Sequence, residues 1–315
     1  MRDLRIVFMG TPHFAEGVLK KLVESGVNIV GVITAPDKPS GRGQKLRASA
    51  VKEYAQSQGL YVLQPKNLKD ETFLSELKSL NANLQIIVAF RMLPEVVWSM
   101  PQYGTFNLHA SLLPDYRGAA PINWAIINGE KVTGVTTFFI DEKIDTGAII
   151  LKKEVVIEKD ETAGSLHDKL MEIGSDLVLE TVELIARGDL ETTLQPSAKE
   201  LKGAPKLNND NTKIDWTRSS AQIDALIRGL NPYPAAWCYL ENDGERLKIK
   251  IFDVELQKEE HDFEIGAVLS SKKNLRVAVK NGFLEILEIQ LPGKRKMKSS
   301  DLLNGYTFVS GAKVV

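Results

Sequence analysis

Asn107 and His109 are the residues whose types and spacing best suit chemistry at a carbonyl. They stand in Phe106-Asn107-Leu108-His109, and in a strand residues two apart face the same side. Asn107 and His109 then point one way while Leu108 turns toward the core. A carboxamide N–H can donate to the oxyanion that develops as a carbonyl is attacked. An imidazole beside it can do the same when protonated, or exchange a proton when neutral. Asp145, followed by Thr146-Gly147, adds a third group. A chain reversal there could aim its carboxylate at the end of that strand. A carboxylate near an imidazole favours the charged ring by simple attraction. Taken singly, each residue also has a structural reading: a strand-end histidine satisfied by its neighbours, and a hairpin turn in which Asp and Gly are favoured anyway.

Other reactive residues point away from several function classes. His13, His167 and His261 form no pair with metal-ligand spacing, so no metal is expected. Ser111 follows His109 closely but lacks the G-x-S-x-G frame of a nucleophile elbow. The turn Gly10-Thr11-Pro12 lacks G-x-G-x-x-G spacing, so a dinucleotide cradle is unsupported and Gly10 reads as a turn residue. Cys238 is the single cysteine. A disulfide within the chain is thereby excluded, and a small buried hydrophobe in a reducing cytosol is expected.

The elements that must position these groups follow from hydrophobic periodicity. The first ~190 residues alternate strand and helix patterns. Strands are expected over 4–9, 28–34 and 84–90, with helices over 14–25, 49–58 and 72–80. That alternation predicts an α/β domain with an open, mostly parallel, Rossmann-like sheet. Residues 35–47 read as a long loop carrying Lys38, Arg42, Lys45 and Arg47. Two long strands, 132–140 and 148–157, flank the Asp145 loop, and 162–187 is an amphipathic helix. A polar stretch then leads to short strands at barrel-like spacing. The expected division is 1–189 as catalytic domain, 190–206 as linker and 207–315 as an OB-like β-barrel.

Of the 315 residues, 43% are hydrophobic and 26% charged, with a net charge of -1. This is ordinary globular composition without the strong basic excess of a nonspecific nucleic-acid binder. Residues 201–315 hold 18 basic and 15 acidic side chains, a modest excess. Lys294-Arg295-Lys296 is the densest local cluster there, and by itself it also fits a solvated surface. No apolar run approaches the ~20 residues of a membrane span. A cytoplasmic protein is expected, and nothing suggests an obligate assembly, so a monomer is.

Asn107-Leu108-His109-Ala110-Ser111-Leu112-Leu113-Pro114, then Tyr116-Arg117-Gly118-Ala119-Ala120-Pro121, closely resembles the signature of the folate-dependent formyltransferases. Asp145-Thr146-Gly147 is similar to that family's catalytic aspartate loop. The resemblance implies formyl transfer from 10-formyltetrahydrofolate, with Asn107, His109 and Asp145 catalytic. It implies a folate site lined by Ser111, Leu112, Leu113 and Pro114, with the backbone of Phe90, Arg91, Met92 and Leu93 gripping the pterin. Arg91 stands where many relatives have glycine. Phe8-Met9-Gly10-Thr11-Pro12, Pro36 to Gly43, Asn231 to Ala236 and Gln290 to Lys294 look like the branch whose acceptor is methionyl-initiator tRNA. On that likeness Arg42, Lys45, Lys294, Arg295 and Lys296 would contact tRNA. The rival expectations are another amine acceptor, such as an amino-sugar nucleotide, and a noncatalytic RNA-binding protein.

Overall fold

The computed structural model describes residues 1–40, 45–196 and 200–315. Among them the chain runs through β1 (Ile6–Gly10), α1 (His13–Glu24), β2 (Ile29–Ile33), β3 (Lys38–Ser40), β4 (Lys45–Arg47), α2 (Ala50–Ser57) and β5 (Val62–Leu63). Next come α3 (Glu71–Ser79), β6 (Leu84–Val88), α4 (Glu95–Trp98), β7 (Thr105–His109), β8 (Arg117–Gly118) and α5 (Pro121–Ile127). They are followed by β9 (Val132–Phe139), β10 (Ile149–Val156), α6 (Ala163–Arg187), β11 (Gly203–Ala204) and α7 (Ser220–Leu230). The rest is β12 (Ala236–Asn242), β13 (Glu245–Gln257), β14 (Val268–Ser270), β15 (Leu275–Val279), β16 (Gly282–Gln290), β17 (Met297–Lys298), α8 (Ser299–Leu303) and β18 (Lys313–Val314). Two compact units result. One holds Met1–Gly118, Val132–Val156 and His167–Gly203, the other Ala119–Lys131, Ile157–Leu166 and Ala204–Val315.

The first unit is built on a seven-stranded sheet in the order β10-β9-β7-β6-β1-β2-β5. Strands β5, β2, β1, β6 and β7 are parallel, and β9 and β10 run antiparallel at one side. This is the expected mostly parallel sheet. β1 and β6 are buried along their whole length, as near-continuous apolar runs are when a sheet is covered on both faces. Chain direction across the sheet reverses at β1, flanked by β2 and β6. In open α/β sheets the crevice beyond such a reversal, at the carboxyl ends of the strands, is where ligands bind. Gly10 ends β1, and a Cβ there would lie 2.5 Å from the Ala15 Cβ and 3.1 Å from the Val88 carbonyl. Close packing, not phosphate binding, accounts for that glycine.

Side-chain caps start α2 and α3. Ser49 Oγ accepts from Lys52 N at 3.1 Å, and Asp70 Oδ1 accepts from Phe73 N at 3.1 Å, each satisfying a donor that the first helical turn leaves free. Residues 35–47, expected as a loop, instead contain a short hairpin. Lys38 pairs with Arg47, and Ser40 with Lys45. Its three-residue strands are too short to leave an alternation signal.

The second unit carries an antiparallel sheet in the order β14-β15-β16-β13-β12-β18. Its two ends meet where Val268 N donates to Ala312 O and Val314 N to Gly266 O, both 2.9 Å. The sheet thus forms a nearly closed barrel, as the strand spacing predicted. Alternate residues Ala236, Cys238 and Leu240 of β12 and Ile249 and Ile251 of β13 fill its interior. Helix α7 begins with a full capping box between Ser219 and Gln222. In the same unit Asn123 Nδ2 of α5 donates to Gly229 O at 2.8 Å.

Candidate active site

β7 lies between parallel β6 and antiparallel β9, which fixes how Asn107 and His109 point. Phe106 and Leu108 are buried, each contributing about 1.5–3 kcal/mol. Helix α6 presses so close on Leu108 that a Cβ on Gly174 would sit 2.9 Å from its Cδ2. A one-residue slip would put Asn107 and His109 on that apolar side, so packing selects the observed register. Asn107 is half-buried, and among the described residues its carboxamide has no hydrogen-bond partner.

His109 is the last residue of β7 and is 6% exposed. Its Nε2 lies 2.8 Å from the Tyr116 carbonyl. A carbonyl only accepts, so Nε2 carries a proton. Its Nδ1 faces Asp145 Oδ2 at 3.9 Å, longer than a hydrogen bond but an ion-pair separation for a protonated ring. Both side chains are largely buried, so water screens this attraction weakly. Phe138 packs edge-on to the imidazole at 6.5 Å. The structure thus brings His109 and Asp145 together from two elements.

Neither partner loop is relaxed. Tyr116 and Asp145 have φ of 59° and 56°, the left-handed region that favours glycine. The Tyr116 twist turns its carbonyl onto His109. Asp145 Oδ2 accepts from Gly118 N at 3.0 Å. Gly147 must be glycine for a different reason: a Cβ would fall 1.6 Å from the Phe139 carbonyl oxygen.

Ser111 and Leu113, expected in the folate lining, are fully buried. Ser111 Oγ donates to Asp115 O at 2.7 Å, and Thr136 Oγ1 of β9 donates to Ser111 O and accepts from Leu113 N. Their side chains anchor the loop, leaving Leu112 and Pro114 partly open. Lys152 donates to the Leu113 carbonyl, and burial lowers its pKa.

Beyond β6, Ala89 has φ 46° while Arg91 stays outside the left-handed region. A glycine is therefore not demanded at 91. The Arg91 guanidinium donates to the Lys66 carbonyl at 2.9 Å and to that of Pro65. Among the described residues, no main-chain group of Phe90, Arg91, Met92 or Leu93 bonds to another main-chain group, which leaves their N–H and C=O groups available to a ligand.

Of the basic residues expected at tRNA, Arg42 lies outside the described residues, and Lys45 is placed only as part of β4. Lys294 and Arg295 are exposed, whereas Lys296 pairs with Glu288 at 2.6 Å. His261 Nε2 faces the carbonyls of Val279 and Gly282 at 2.9 and 2.8 Å, a structural role. His13, His167 and Asp168, which show no ligand spacing in the sequence, each place a donor atom within 4.8 Å of the others. The trio is half-buried to exposed, with His167 Nδ1 2.9 Å from Asp168 and His13 Nε2 3.8 Å from Glu16.

Sequence reasoning met Tyr116 and Gly118 only as part of the signature and gave their main-chain groups no role, and it missed Gln195 altogether. Gln195 contacts the Asp145 loop from a segment read as linker.

The formyl transferase family model matches residues 4–182, and the formyl transferase C-terminal domain model matches 206–307. The chain belongs to the formyltransferase family. It is therefore a transferase, and Asn107, His109 and Asp145 all lie within the residues matched by the N-terminal model. Its relatives in this family include the methionyl-tRNA formyltransferases of Flavobacterium johnsoniae, 60% identical with all of both chains covered, and of Parabacteroides distasonis, 54% identical with 96% of each covered. Solved structures with the same fold include HypX from Aquifex aeolicus in complex with tetrahydrofolic acid. It is 20% identical with a TM-score of 0.66, and the match covers 96% of this chain and 47% of that one. The sugar 3N-formyl transferase WlaRD is 20% identical with a TM-score of 0.65, covering 94% and 100%. Among the described residues no helix is long and apolar enough to cross a membrane.

Proposed function

We propose that this chain transfers the formyl group of 10-formyltetrahydrofolate to the free amine of methionine on initiator tRNA, giving N-formylmethionyl-tRNA for translation initiation. Support comes from full-length identity of up to 60% to enzymes of that name. One geometric observation carries the chemistry: a buried imidazole faces a half-buried carboxylate at the carboxyl end of β7.

In this reading the amine attacks the formyl carbon and the carbonyl oxygen becomes an oxyanion. The unpartnered Asn107 carboxamide and the Nδ1–H of charged His109 stabilise it. Nε2–H stays engaged with Tyr116 O, so the ring cannot rotate away. Asp145, 3.9 Å from the ring's Nδ1, helps route the proton from the attacking amine to N10 of the departing tetrahydrofolate. The main-chain groups of Phe90 to Leu93, together with Leu112 and Pro114, take the folate. Holding amine and formyl carbon in line supplies much of the remaining rate. Lys294 and Arg295 of the barrel, with Arg42 and Lys45, meet tRNA phosphates. The protein works as a cytoplasmic monomer without a metal, a setting that its single buried cysteine fits.

Acceptor competition tests the assignment. With labelled 10-formyltetrahydrofolate, methionyl-initiator tRNA should capture the label while a nucleotide-linked amino sugar at equal concentration captures none. Preferential labelling of the sugar would replace the acceptor and leave the family chemistry standing.

A further inference from the structure

We propose that Gln195 is a positioning residue that sets the aim of the Asp145 carboxylate, with Arg117 orienting Gln195. This rests on the reading of Asp145 as the carboxylate that faces His109 and helps route the proton.

Asp145 occupies the left-handed region, which Asp enters more readily than most non-glycine residues but usually with local hydrogen bonds to hold it. Its own hairpin does little of that. Asp141 and Lys143 engage the neighbouring Thr146 hydroxyl instead. The restraint comes from far along the chain. Gln195 Nε2 donates to the Asp145 carbonyl at 3.0 Å and to the Gly147 carbonyl at 2.8 Å. One amide group thereby grips the main chain on both sides of Thr146.

Arg117 fixes which way that amide faces. Its Nη2 and Nε donate to Gln195 Oε1 at 2.6 and 3.2 Å. A guanidinium can only donate and a carbonyl only accept, so the oxygen must face Arg117 and the nitrogen the loop. The next residue, Gly118, donates its amide to Asp145 Oδ2. A closed ring results: Arg117 to Gln195, Gln195 to the Asp145 main chain, and the Asp145 carboxylate back to Gly118. Gln195 is itself pinned, because Thr193 and Ile149 of β10 exchange both main-chain hydrogen bonds at 2.8 and 2.9 Å. The segment after α6 is therefore a wall of this site. Glutamate could still bind Arg117 but could not donate to the two carbonyls.

The test compares Gln195→Leu and Gln195→Glu with wild type and Asp145→Ala. Formyl transfer is measured with each substrate varied in turn while the other saturates, with thermal midpoints alongside. Both Gln195 variants should lose 10- to 100-fold in kcat, in line with the ~10²-fold cost of a 1 Å misplacement. KM for each substrate should stay within threefold and the thermal midpoint within a few degrees. The Gly118 amide resonance should shift as its carboxylate acceptor moves, which a distant stabilising contact would not cause. The proposal is overturned if either folded variant keeps kcat within twofold of wild type. It is also overturned if the variants lose only stability while activity per folded molecule is unchanged. In either case, a dead Asp145→Ala leaves the reading of Asp145 intact, whereas a fully active Asp145→Ala removes that reading and this proposal with it.

Discussion

Adding one methyl group at Gly147 should disable catalysis without unfolding the protein. An alanine Cβ there would stand 1.6 Å from the Phe139 carbonyl oxygen and 2.8 Å from its carbon. Real Cβ contacts are not found below 3.0 Å, so the loop and the end of β9 must part by about 1.4 Å. The obstacle is backbone, and Phe139 is paired with Phe106 of β7 inside the sheet, so the loop rather than the strand gives way. Overpacking of this kind costs about 1–3 kcal/mol, or ~2–4 °C in thermal midpoint per kcal/mol for a chain of this size. The functional cost is larger, because Asp145 is two residues away and a 1 Å error is worth ~10²-fold in rate. Single-turnover formyl transfer by Gly147→Ala should fall about 100-fold, with thermal melting as the folding control. Gly203→Ala, where nothing lies within 4 Å, serves as a neutral partner. A Gly147→Ala enzyme within threefold of wild type would refute the claim that carboxylate placement limits the reaction.

Other residues yield narrower tests. Cys238 is fully buried, and burial pushes its thiol pKa up to about 12. It should resist a thiol reagent at pH 8 in the native state and react on unfolding, measured by mass shift. Arg91→Gly removes two hydrogen bonds to the 65–66 main chain, about 1–2 kcal/mol. The folate KM should rise ~5–30-fold with kcat little changed. The Lys52 ammonium and the Gln64 amide hold the Asp37 carboxyl below its usual value. A depressed folded pKa stabilises above the unfolded value of about 3.9 and is lost as pH falls through the folded one. The melting difference between wild type and Lys52→Met should therefore be present at pH 6 and shrink below about pH 4.

Much of the architecture was legible because periodicity reports burial. β1 and β6 are largely apolar runs of strand length, and α1, α2, α3 and α6 begin and end within a residue or so of their expected bounds. The β3–β4 hairpin was not, since three-residue strands around Pro39 carry no alternation. Nor does local pattern show that α5 belongs with the barrel unit. Its Asn123 contact to Gly229 lies more than a hundred residues away, and periodicity says nothing about partners at that range. In the site, Asn107, His109 and Asp145 stood out by residue type and by resemblance. The Tyr116 carbonyl and the Gly118 amide are main-chain groups that any residue could supply, and Gln195 is an ordinary polar residue in a polar stretch. Only the folded chain reveals their alignment.

The most direct test is transfer of labelled formyl from 10-formyltetrahydrofolate to methionyl-initiator tRNA by wild type beside Asp145→Ala. Rapid transfer by wild type, with the variant slowed by at least 10³-fold while still binding both substrates, is the expected result. An equally active variant, or wild type that releases formate to water and labels no tRNA, would contradict it.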